Sequence, residues 1–118
     1  MVIMYNFEMM DIQALTEAME EFVRVKGWTQ PDSPRPQTAK NLAVSLSIEA
    51  AEVLEIFQWI EATPDPQRLA SELADVTLYL LQLASVSGID LEDAVLAKLN
   101  QNYGREWDGQ PGEKKDQQ

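Results

Sequence analysis

Two stretches decide how this chain folds: Ser47-Ile48-Glu49-Ala50-Ala51-Glu52-Val53-Leu54-Glu55-Ile56-Phe57-Gln58-Trp59 and, after a break, Glu72-Leu73-Ala74-Asp75-Val76-Thr77-Leu78-Tyr79-Leu80. Neither contains glycine or proline, and neither alternates with the period of two that a half-buried strand requires. On an ideal helix turning about 100° per residue, Leu42, Val53, Ile56 and Ile60 fall within about 40° of Glu49, and Glu52 about 60° away. The second stretch repeats the design, with Leu69, Val76, Tyr79 and Leu83 within about 60° of Glu72 and Asp75 three residues on. Each is an amphipathic helix carrying two carboxylates at i and i+3 in or beside its apolar stripe.

Acids in that position are costly. A buried carboxylate without a partner is destabilising or takes up a proton, and four converging anions multiply the penalty. Lys40 and Arg68 are the only basic residues in these two helices. A bound divalent cation offsets the charge most economically, and an all-oxygen ligand set of Glu49, Glu52, Glu72 and Asp75 favours a hard ion, Mg²⁺ with Mn²⁺ as a substitute. The di-iron carboxylate bundles that pair Glu with His on their helices are disfavoured, because the chain has no histidine. Glu17, Glu55 and Glu61 lie off the stripes and read as solvated faces.

Outward from these stretches the chain stays helical. Ile12, Leu15, Met19, Phe22 and Val25 mark a helix over 11–26, with Gly27 placed to end it. Trp28 to Gln37 holds Pro31, Pro34 and Pro36 and reads as a connection. Thr38 can cap a second helix from Ala39 to about Ala62, and Pro64-Asp65-Pro66 stops it and starts a third, which runs to Ser87 and ends at Gly88. Asp90 with Asp93 three residues on resembles a capping box for a fourth helix from Leu91 to Tyr103. The expected organisation is an N-terminal extension over 1–10, one all-α domain of four helices over 11–107, and a polar tail over 108–118.

Composition narrows the chemistry. The 118 residues carry 20 acidic and 9 basic side chains, a formal charge of −11, and neither histidine nor cysteine. Disulfides, thiolate metal sites, cysteine nucleophiles and the usual histidine base are excluded. The charge argues against long nucleic acids, whose affinity comes from lysine and arginine, but not against a small phosphorylated substrate that arrives with a cation. No uninterrupted apolar run approaches the roughly 20 residues of a membrane span, and Met1 to Glu8 lacks the pattern of a signal peptide, so the expected setting is cytoplasmic.

The paired acids, with Lys40-Asn41-Leu42-Ala43, Phe57-Gln58-Trp59 and the Asp75-to-Tyr79 segment, resemble the MazG-like branch of the all-α nucleoside triphosphate pyrophosphohydrolases, and its compact dCTP pyrophosphatase members most. Longer MazG proteins often double the first glutamate, whereas Ile48 precedes Glu49 here. The resemblance implies a four-helix bundle that hydrolyses a nucleoside triphosphate between its α and β phosphates, releasing a monophosphate and pyrophosphate. It implies that Glu49, Glu52, Glu72 and Asp75 hold Mg²⁺, and that Glu49 or Glu52 accepts the proton of the attacking water. It places Trp28 and Trp59 at the base or sugar, Tyr79 near the sugar or metal, and Lys98 with Asn102 at the phosphates and sugar. Lys40 and Arg68 are the remaining basic residues near the acids: Lys40 is assigned to the substrate, Arg68 either touches a phosphate or pairs with an acid, and Trp107 has no assigned role.

The apolar positions outnumber what one four-helix layer buries, since Ala43, Ala50 and Leu54, and likewise Leu73, Thr77 and Leu80, lie on further faces. A homodimer or homotetramer is expected, with the site near a subunit interface. Two other readings stay open: a relative acting on dUTP or phosphoribosyl-ATP, and a catalytically silent Mg²⁺-binding oligomer.

Overall fold

The computed structural model describes residues 10–106. Most of the expected N-terminal extension, Trp107 and the polar tail over 108–118 lie outside the described residues. Four helices follow one another: α1 (Ile12–Val25), α2 (Ala39–Phe57), α3 (Pro66–Val86) and α4 (Leu91–Tyr103). There is no strand among the described residues.

Local chemistry sets the boundaries. Each helix starts on a side chain that accepts from an otherwise orphaned backbone N–H: Asp11 from Ala14 at 2.8 Å, Thr38 from Asn41 at 3.2 Å, Asp65 from Gln67 at 3.0 Å and Asp90 from Asp93 at 3.0 Å. Gly27 (φ +75°) and Gly88 (φ +68°) take the left-handed conformation that ends α1 and α3.

One boundary differs from expectation. The second helix stops at Phe57 rather than near Ala62. Gln58 turns extended (φ −63°, ψ 133°), Trp59 takes φ +70°, and Ile60 N–H donates to Phe57 O at 3.3 Å, the geometry of a type II turn. The chain must reverse before α3, and Pro64 already disfavours helix at Thr63, so the reversal begins in sequence that carries no breaker of its own. Ile60 therefore leaves the α2 stripe.

α2 and α3 form an antiparallel pair, the most extensive helix contact among the described residues, with Leu42 (2% exposed) and Ile56 buried. α3 is buried from a second side as well. Leu81 and Ala84 point away from α2, and Leu81 packs with Met19 and Val23 of α1, a cluster sealed by Ile12, Leu15, Trp28 and Leu91. By length and mean hydropathy α3 alone among the described helices could cross a membrane, yet this helix carries the charges of Arg68, Glu72 and Asp75. α4 buries no residue completely and rests on α1 near Leu91.

Trp59 is 92% exposed and sits where a Cβ is disfavoured by about 1–2 kcal/mol. After allowing for the chain entropy of glycine, Trp59→Gly should stabilise the fold by roughly 0.5–1 kcal/mol. Urea denaturation checks this, and a midpoint below wild type would mean that the ring makes packing contacts that outweigh the backbone strain.

Candidate active site

Because α2 and α3 run antiparallel, Glu49 near the middle of α2 comes opposite Glu72 and Asp75 in the first half of α3. One carboxylate oxygen from each of Glu49, Glu72 and Asp75 lies within 4.8 Å of the others. Glu49 Oε2 and Glu72 Oε2 are buried and have no hydrogen-bond partner. Glu52 flanks this set, with its carboxyl in hydrogen-bonding reach of Glu49 and Glu72. That contact, then the charge of Glu49, then partial desolvation raise Glu52 above the ordinary carboxylate range, against a lowering contribution from Glu72. Glu72 is raised chiefly by desolvation, then by Glu52 and Asp75, while Arg68 one turn earlier pulls it down.

Carboxylate oxygens do not pack against one another without a proton or a cation between them. Two buried, unpartnered oxygens facing a third acid, with one guanidinium nearby, form a donor set suited to a hard divalent cation. Glu49, Glu72 and Asp75 would hold it, and Glu52 stands at its edge.

A cavity of about 440 Å³ lies about one helical turn from these acids, none of which lines it. Its lining includes Trp28, Asn41, Leu42, Ser45 and Tyr79; Ser45 is one turn before Glu49, and Tyr79 one turn after Asp75. Trp28, expected at the base or sugar, and Tyr79, expected near the sugar or metal, line the same cavity. Trp59 does not join it, and extends into solvent beyond the opposite end of the acid set. Lys40 is exposed on the first turn of α2, and Lys98 is exposed on α4. Asn102, one turn after Lys98, is half-buried with a buried, unpartnered Oδ1. A larger cavity of about 740 Å³ lies between α1, the proline-rich connection and the C-terminal half of α3, away from the acids.

Some residues of this region were not evident as functional in the sequence. Asn41 donates from Nδ2 to Pro36 O at 3.0 Å, which ties the connection to α2. Gln82, buried inside Leu80-Leu81-Gln82-Leu83-Ala84, bonds to Gln37. A lone amide within an apolar run was the available signal for it.

A profile of the MazG-like family matches residues 44–117, more than half of the chain and including all four acids. The chain belongs to the MazG-like family. This MazG-like protein is 37% identical over 94 residues to dCTP pyrophosphatase 1 of Rattus norvegicus and to that of Homo sapiens, covering 72% of this chain and 52% of each relative. It therefore spans about half the length of the curated relatives it matches. A solved pyrophosphatase from Archaeoglobus fulgidus superposes with a TM-score of 0.66 at 35% identity, over 86% of this chain and 94% of that one.

The raised carboxyls of Glu52 and Glu72 have a thermodynamic consequence. The folded state binds their protons more tightly than the unfolded state, whose carboxyls titrate near 4.5. Their stabilising contribution is complete below that value and is lost as pH rises through the raised folded values. In the metal-free MazG-like protein, Glu72→Gln should melt at or above the wild-type temperature, by a margin that widens as pH is raised from about 5 to about 8. Thermal melts in EDTA measure the margin, and one that stays constant with pH would contradict the clustering.

Proposed function

We propose that this MazG-like protein hydrolyses nucleoside triphosphates between the α and β phosphates, with dCTP and related deoxynucleotides as substrates. The observation that carries the reading is the convergence of Glu49, Glu72 and Asp75 one helical turn from a cavity lined by Trp28 and Tyr79. That arrangement suits a ligand with a flat aromatic end and a polyanionic end. Water attacks the α phosphorus, the bond from that phosphorus to the oxygen bridging toward the β phosphorus breaks, and pyrophosphate leaves with that oxygen. A divalent cation, Mg²⁺ by the hardness of its ligands, supplies positive charge against the phosphates and favours ionisation of the attacking water.

The chain's own groups do the rest. Glu52 lies beside the three-acid set rather than within it, which leaves its carboxylate to accept the proton from water. Trp28 and Tyr79 give the base an aromatic wall. Asn41 lines the cavity and donates from Nδ2 to Pro36 O, which places an amide beside the base. Lys98 and Asn102 are assigned to the phosphates and sugar, and Lys40 to the mouth of the cavity.

The active form is a homo-oligomer. Only Met19, Val23, Leu42, Ile56, Leu81 and Ala84, with Pro64, are buried apolar residues among those described, whereas Leu54 is 73% exposed, Tyr103 82%, and Val95, Leu96 and Leu99 leave α4 with an uncovered apolar stripe. A second copy covers these faces in the proposed assembly and brings Trp59 to a neighbouring site.

A panel of nucleotides with Mg²⁺ should yield pyrophosphate rather than orthophosphate, fastest with dCTP and slower with dUTP. No pyrophosphate from any nucleotide would sink the enzymatic reading. Glu72→Gln should lower kcat by roughly 10²-fold or more. Sedimentation should give a dimer or tetramer for the wild type and a smaller species for Leu99→Glu; a monomeric wild type would refute the assembly.

A further inference from the structure

Gln82 is the one buried polar side chain among the described residues, 6% exposed, with Leu81 and Ala84 buried on either side. A leucine or methionine of similar volume would fill the same space without an amide to satisfy. The amide is used on a residue 45 positions away: Gln82 Nε2 donates to Gln37 Oε1 at 2.5 Å. Gln37 in turn donates from its own Nε2 to Arg35 O at 2.6 Å. The two bonds form a relay from the interior of α3 to the backbone of the connection.

The connection needs such an anchor. Its first half is held by backbone bonds, Trp28 N–H to Val23 O, Gln30 N–H to Gly27 O and Ser33 N–H to Gln30 O. Its second half is different. Pro34 and Pro36 have no N–H to donate, and Arg35 N–H donates to Ser33 Oγ. The carbonyls of Arg35 and Pro36 are each held by a side-chain amide, from Gln37 and Asn41. Arg35, Pro36 and Gln37 line the cavity that holds Trp28 and Tyr79, whereas Gln82 lines only the larger cavity behind it.

We infer that Gln82 is a positioning residue for the nucleotide pocket: acting through Gln37, it fixes the Arg35–Gln37 wall opposite Tyr79 without touching the ligand. The inference rests on the assignment of that cavity to the nucleotide. The relay has a definite polarity. Gln37 can accept from Gln82 and donate to Arg35 O only in one orientation of its amide, so loss of the Gln82 donor frees Gln37 to rotate and releases both contacts.

The test is steady-state kinetics of Gln82→Met, which keeps the volume and removes the donor, on the nucleotide that the wild type hydrolyses best. KM should rise about tenfold while kcat stays within twofold, since the acids on α2 and α3 are untouched. Gln37→Leu should do the same, and it changes a half-buried side chain of the connection rather than one inside α3, so it reports even where Gln82→Met folds poorly. The double variant should be no worse than either single one, because the relay acts as a unit. Amide hydrogen exchange should accelerate over residues 28–38 and stay unchanged in α2. An active wild type whose KM is unmoved in both single variants overturns the role of Gln82 and leaves the enzymatic reading standing. A fall in kcat with KM constant assigns Gln82 to general stability and also overturns it. A wild type that hydrolyses no nucleotide overturns the reading of the cavity itself, and the positioning role with it.

Discussion

Mutual repulsion among the carboxylates of Glu49, Glu52, Glu72 and Asp75 is the constraint around which the α2–α3 pair is organised. Nothing in hydrophobic packing favours bringing them together, and the two buried, unpartnered oxygens mark energy left unrecovered in the bare chain. The antiparallel pair holds the acids in place because its apolar contacts extend to both sides of the charged zone, from Leu42 near one end of α2 to Ile56 near the other. The destabilised spot is therefore clamped rather than terminal. Such a site is ready for a cation without first having to assemble.

α3 carries the largest share of this arrangement. One of its faces presents Glu72, Asp75 and Tyr79 toward α2, another packs Leu81 against Met19 and Val23 of α1, and between them Gln82 reaches the connection. Acids, aromatic wall and anchor are thus spaced along a single rigid element. α4 contrasts with it, since it buries no residue completely and keeps an apolar stripe uncovered.

Much of this was legible in the sequence because it rests on short-range rules. Periodicity gave four helices, the caps at Thr38, Asp65 and Asp90 gave three of their starts, and Gly27 and Gly88 gave two of their ends. The acid pairs at i and i+3 stood out because charge in an apolar stripe is locally anomalous. The early end of α2 was hidden: a tryptophan at φ +70° is a conformation that no local preference selects, imposed by the need to reverse toward α3. The second buried face of α3 was hidden for a related reason, since a wheel centred on Glu72 puts Leu81 on the opposite side. Met19 and Val23, not Phe22 and Val25, face the core of α1, because the partner is that opposite face of α3. The link between Gln82 and Gln37 depends on tertiary proximity alone.

The prolines of the connection bear on affinity as well as on shape. Pro31, Pro34 and Pro36 each fix one backbone torsion before any ligand arrives, and the amides of Asn41 and Gln37 hold the carbonyls around them. A wall built this way has little rotational freedom left to lose on ligand contact, so less of any attraction to a ligand is consumed in ordering the protein. Pre-organisation of this kind gives a small pocket, with few buried residues around it among those described, a fixed shape to offer a ligand.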